Sequence, residues 1–166
     1  MSRAALTLAV LVCVAPLGGC GFTPLYAQAG VGSALSHIQV VAPQGRMGFL
    51  VGQDLDDSLG HDKGGAPAYR LEMQLTQTRA AHGLNVENVA QRYELDMTVN
   101  YTLTDLATGK VATTGSVWSA ISYDSAAQPY AGIAARQDTQ DRQAEDVANK
   151  IQLQLDAWMA RSKSGG

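Results

Sequence analysis

Tyr93, Leu95, Met97, Val99, Tyr101 and Leu103 alternate without a break against Arg92, Glu94, Asp96, Thr98, Asn100 and Thr102. A period of two held over this length predicts a strand with one buried face and one wet face. Tyr69, Leu71, Met73 and Leu75 alternate the same way with Arg70, Glu72, Gln74 and Thr76, so a second strand precedes it. Between them, residues 78–90 are polar and irregular and read as the rim of a hairpin. Asp105 to Lys110, with Gly109, predicts a turn. A third strand then runs from Val111 to Tyr123 through Val117 and Ile121, with Gly115 as the candidate for a bulge. Trp118 falls on the polar side of that strand, an exposed aromatic by pattern.

Two stretches change period. Met47, Leu50 or Val51, Leu55 and Leu59 recur at helical steps, predicting a helix over 46–59 in which Gly48 and Gly52 each cost about 1 kcal/mol relative to Ala. Ala144, Val147, Ala148, Ile151, Leu155, Trp158 and Met159 share one face of a second helix. It is expected to begin near Asp138, after a loop over 124–135. Acidic residues crowd its first half, and Lys150, Arg161 and Lys163 follow, as the helix dipole favours. Ile38, Val40 and Val41 form a short first strand, stopped by Pro43 and Gly45. The order β-α-β-β-β-α predicts an α+β two-layer sandwich, mainly antiparallel, with both helices on one face of the sheet.

Ahead of this domain lies a different pattern. Arg3 is followed by an apolar run from Ala4 to Pro16, then Leu17-Gly18-Gly19-Cys20. A charged start, a short apolar middle and small residues before the cut describe a secretory signal. The run is shorter than the roughly 20 apolar residues that a membrane-spanning helix needs. Leu at −3, small residues at −2 and −1 and then Cys form a bacterial lipobox. Residues 1–19 are therefore read as the signal and Cys20 as the lipidation site, carrying a diacylglycerol and an N-acyl chain, the only non-protein group expected. Residues 20–35 read as a tether, 36–161 as one domain and 162–166 as a disordered tail.

Composition narrows the function. The net charge of −3 falls further once Arg3 leaves with the signal, which disfavours nucleic acid as a partner. Cys13 also leaves with the signal and Cys20 is blocked, so no disulfide staples the domain and its core must hold it. His37, His61 and His82 stand apart, none with a second metal ligand at useful spacing. Asp54, Asp56 and Asp57 lie on a helix that points them in different directions, and they read as a solvated face. GxSxG, HExxH and a phosphate-binding glycine loop are all missing, so no catalytic and no metal-binding residue is assigned.

The Gly19-Cys20-Gly21-Phe22-x-Pro24-Leu25-Tyr26 start, together with the element order, resembles the LPS-assembly lipoprotein family LptE in its alphaproteobacterial form. Tyr93-x-x-x-Met97-Thr98-Val99-Asn100 and the Gln128-Pro129 segment leading to Ala135-Arg136 match as well. The resemblance implies an outer-membrane lipoprotein on the periplasmic side, plugging the lumen of the LptD barrel and needed for its assembly. It also implies contact with lipopolysaccharide through basic residues. Arg136 stands at one such position, whereas the other, in Leu84-Asn-Val-Glu-Asn-Val-Ala90, is not basic. Arg92 and Arg79 are the nearby substitutes, and Arg92 joins Arg136 as a lipopolysaccharide-binding candidate. The alternative is another envelope lipoprotein, an auxiliary subunit of a lipid or solute export system.

Overall fold

The computed structural model describes residues 35–60, 62, 64–84, 90–124 and 128–164. The signal, Cys20, the tether up to residue 34 and His61 lie outside the described residues. Four strands, β1 (Ile38–Val41), β2 (Tyr69–Leu84), β3 (Ala90–Asp105) and β4 (Val111–Asp124), form one sheet in the order β1-β2-β3-β4. β1 lies parallel to the start of β2, and the other two pairings are antiparallel hairpins. Helices α1 (Arg46–Leu59) and α2 (Pro129–Ser164) complete the predicted β-α-β-β-β-α order.

Both helices lie on the same face, because only one face of the sheet is apolar. Leu95, Met97, Val99, Tyr101 and Leu103 of β3 are buried. Onto them α2 lays Val147, Ile151, Leu155 and Met159, four residues apart and therefore on one stripe. α1 adds Met47, Val51, Leu55 and Leu59 to the same cluster. Each fully buried aliphatic side chain stabilises the fold by about 1.5–3 kcal/mol, so this cluster alone explains a domain without disulfides. Leu35, at the end of the tether segment, already belongs to this core.

Four features differ from the sequence reading. β2 runs on to Leu84 and β3 starts at Ala90, so most of the polar stretch read as a rim is paired strand, in register through His82↔Arg92. A ladder is held by backbone hydrogen bonds, and it needs no apolar alternation where no helix covers it. α2 begins at Pro129, not near Asp138. Proline suits a first helical position because the N–H it lacks has no partner there in any case. Asp138 sits inside the helix and pairs with Arg142 one turn on, at 2.9 Å. At its other end α2 continues to Ser164, through three of the five residues read as a tail.

The fourth difference concerns Gly115. The register shift falls elsewhere, where Leu103 pairs with Thr113 and Thr104 with Val111, leaving Ala112 as the extra residue. Gly115 lies opposite Tyr101, and a Cβ there would overlap the tyrosine ring. The missing side chain lets Tyr101 lie across β4 and donate its hydroxyl to Gln154 Oε1 of α2 at 2.8 Å.

Gly48 is explained similarly. It is buried in α1, and a Cβ would overlap the Pro43 carbonyl of the connector from β1. The glycine that weakens the helix thus allows the chain to pass directly over it. Gly48→Ala is therefore expected to destabilise the domain by about 2 kcal/mol, although helix propensity alone predicts a gain of about 1 kcal/mol. Urea unfolding of the two proteins measures the sign.

Asp156 of α2 is 1% exposed, and among the described residues neither carboxylate oxygen has a hydrogen-bond partner. Burial pushes its carboxyl above the usual carboxylate range. A folded-state value above the unfolded one means that Asp156 opposes folding increasingly as pH rises above the unfolded value of 3.8. Asp156→Asn is expected to raise Tm at pH 7 and to lose that advantage at pH 3.5, as read by thermal melts at the two values.

Candidate functional site: the polar sheet face and its far end

The even-numbered residues of β3 face away from both helices. Across the strands they form rows: Gln74, Asn100 and Ser116; then Thr76, Thr98 and Trp118; then Thr78, Asp96 and Ala120. The face is polar and mostly uncharged, with Trp118 standing out of it at 60% exposure, as its place in the strand pattern predicts. At its far end the row His82, Arg92 and Asp124 crosses three strands and lines a shallow cleft of about 340 Å³ with Gly83. Arg92 Nε donates to Asp124 Oδ1 at 3.0 Å, a solvent-exposed pair of the kind that contributes little stability.

The opposite face of this end has another character. Arg79 lies over the Tyr93 ring at 4.7 Å, and Tyr93 stacks on Tyr123 at 5.5 Å. The first turns of α2 follow, with Tyr130 88% and Ile133 54% exposed. Arg136 is exposed and has no ion pair among the described residues. Arg92 and Arg136 therefore do not converge: the first is on the polar face, the second on the helix that covers the apolar face. Arg79, not Arg92, shares the helix side of the sheet with Arg136, because it pairs with the inward-facing Leu95.

Two polar contacts fix α2 over this end. Gln143 is fully buried; its Nε2 donates to the Leu95 carbonyl at 2.7 Å and the Ser119 carbonyl at 3.1 Å, and its Oε1 accepts from Gln77 Nε2 at 2.8 Å. One amide thus ties the helix to three strands. Burial pushes Asp146 up, but bonds from Lys150 and the Ser119 hydroxyl outweigh it and hold the carboxyl below its usual range. Sequence reading missed Gln143. Its signal was the four-residue stripe 139, 143, 147, 151, in which Thr139 and Gln143 continue the apolar face with polar residues.

The three aspartates of α1 are not gathered into a metal centre; among the described residues no group of three His, Cys, Asp or Glu is placed to hold one. Asp54 does lie near Asp141 and Glu145 of α2, in a cleft of about 520 Å³ between the helices. Burial, then Glu145, Asp57 and Asp141, push its carboxyl up. Arg46 bridges the seam to Asp141 at 2.9 Å. Among the described residues no helix is long and apolar enough to cross a membrane.

The described residues thus form an α+β two-layer domain, a one-faced four-stranded sheet covered by two helices on its apolar side. A solved protein from Caulobacter crescentus, described as a lipoprotein, is 46% identical and superposes with a TM-score of 0.70, over 81% of this chain and 98% of its own. Rare lipoprotein B from Shewanella oneidensis (14% identity, TM-score 0.58, 76% of this chain and 96% of its own) shares the fold. So does lipoprotein B from Nitrosomonas europaea (15% identity, TM-score 0.57, 74% and 83%). No curated protein sequence matches the chain. The family profile for lipopolysaccharide assembly, LptE, matches residues 35–155. The chain belongs to the LptE family.

Proposed function

We propose that this protein is the lipid-anchored plug of the LptD barrel. In this reading acyl chains on Cys20 hold it on the periplasmic side of the outer membrane, and the domain enters the barrel lumen and supports its assembly. The role is one of binding and shape, without catalysis. The observation that carries it is the family match over residues 35–155, joined to a sheet whose uncovered face offers Gln, Thr and Asn side chains to a polar wall. Such a face makes hydrogen bonds with a lumen wall as readily as with water, and Trp118 supplies the large amphipathic contact that interfaces favour. Lipopolysaccharide is assigned to the end that carries Arg136, where a guanidinium can fork onto a phosphate and exposed Tyr130 and Ile133 offer apolar surface. Arg92, already paired with Asp124 on the other face, is the weaker of the two candidates.

Three experiments test this reading. A photo-cross-linker at Thr98, in the middle of the polar face, is expected to capture a large outer-membrane barrel. Capture of an inner-membrane transporter component instead would establish the export-subunit alternative. Arg136→Ala is expected to weaken lipopolysaccharide binding by about 1–2 kcal/mol, the scale of one charge-assisted contact, while Arg92→Ala has a smaller effect. Equal affinity of the Arg136 variant and the parent would remove the site. Palmitate labelling that disappears in Cys20→Ala checks the anchor.

A further inference from the structure

β1 covers only the first part of the outer edge of β2, pairing Tyr69 to Glu72; Pro43 and Gly45 then turn the chain away into α1. Among the described residues nothing pairs with β2 from Met73 onward on that side. Its N–H and C=O groups there form an unpaired ladder edge. Proteins normally guard such an edge with charge, proline or a bulge. From Met73 to His82 this one has no proline, no lysine and no acidic residue, and Arg79 is drawn onto the Tyr93 ring. The opposite edge of the sheet is not bare in this way. In β4 the carbonyls of Ser116 and Trp118 accept hydrogen bonds from Gln154 and Lys150 of α2.

We propose that a second copy of this chain adds to the free edge of β2, the two β2 strands pairing antiparallel about a two-fold axis at Thr78. The register follows from the ends of the edge and from charge. In a two-fold antiparallel pair the residues opposite one another lie on the same face, so their numbers differ by an even step. Centred on Thr78, Met73 meets the partner's Gly83, just beyond the point where β1 stops beside Glu72. Gly83 has a φ of 63° and interrupts the β2–β3 pairing, so the regular edge ends there. At Thr78 only the terminal Leu84 reaches the β1-covered Glu72, whereas shifting the axis toward Gln77 sets His82, Gly83 and Leu84 against the length of β2 that β1 covers. Shifting it toward Arg79 sets the two arginines face to face, a like-charge pair that opposes association. At Thr78 the opposed pairs are Gln74 with His82, Leu75 with Ala81, Thr76 with Ala80 and Gln77 with Arg79, none of like charge. This pairing belongs to the chain outside a barrel and does not rest on the plug reading.

The test uses the full chain, produced without the barrel and held in mild detergent. Thr78→Cys is expected to form a disulfide-linked dimer under mild oxidation, because residues on the axis of an antiparallel pair are spaced for a disulfide. Gln53→Cys, on the exposed side of α1, controls for two copies sharing a micelle and should stay monomeric. Sedimentation should show a concentration-dependent dimer that is lost in Thr76→Lys/Thr78→Lys, both exposed positions where lysine guards the edge without touching the core. Circular dichroism and Tm of the lysine variant should match the parent. A monomer at every concentration, a dimer that survives both lysines, or Thr78→Cys linking no faster than Gln53→Cys would each overturn the proposal. The last result, together with a cross-link to a different chain, would give the edge to a foreign strand.

Discussion

The packing of one stripe of α2 against one face of β3 and β4 governs the rest of the molecule. Val147, Ile151, Leu155 and Met159 are all buried, as are Met97, Val99, Tyr101 and Leu103 beneath them. With no disulfide in the domain, this burial offsets the conformational entropy of folding. Everything else accommodates it. Gly115 gives up its side chain so that Tyr101 can reach α2, and Gly48 gives up its own so that the β1 connector can cross α1. Gln143 carries the stripe past the last apolar residue, and it is tolerated in the core because its amide bonds carbonyls on two strands and a glutamine on a third.

Committing both helices to one face leaves the other bare. That face carries Thr, Gln and Asn along its middle and charged residues such as Arg70, Glu72, Arg92 and Glu94 toward its ends, a surface suited to hydrogen bonding with water or with a polar wall alike. The same commitment leaves the far end of the sheet half covered. There the first turns of α2 expose Tyr130 and Ile133 beside Arg136, which has no ion pair among the described residues, and Arg79, Tyr93 and Tyr123 stack on the inner face. An LptE-family domain thus presents two unlike surfaces, a broad polar face and a compact cationic and aromatic end, and they belong to opposite sides of one sheet.

The sequence made some of this plain and concealed the rest for definable reasons. The alternation from Tyr93 to Leu103 announces a strand because both of its neighbours are strands and its faces meet fully different surroundings. The α1 limits, Arg46 to Leu59, are equally legible from the apolar spacing. The continuation of β2 to Leu84 is not, since an uncovered ladder imposes no pattern on its side chains. The early start of α2 at Pro129 is masked likewise: its first turns bury little, so alanine, glycine and exposed tyrosine look like loop. Arg92 and Arg136 were both legible as candidates by position, yet their placement on opposite sides of the sheet depends on strand parity and helix docking together.

By itself the chain determined the number, order and kind of its elements and the one-sided burial of the sheet. These follow from local periodicity, which neighbouring residues impose on one another. Only the tertiary structure decided which glycines are needed for close approach, where the bulge falls, which arginine is already paired and which strand edge stays open. Each of those depends on atoms brought together from distant parts of the chain, and a linear pattern carries no record of such meetings.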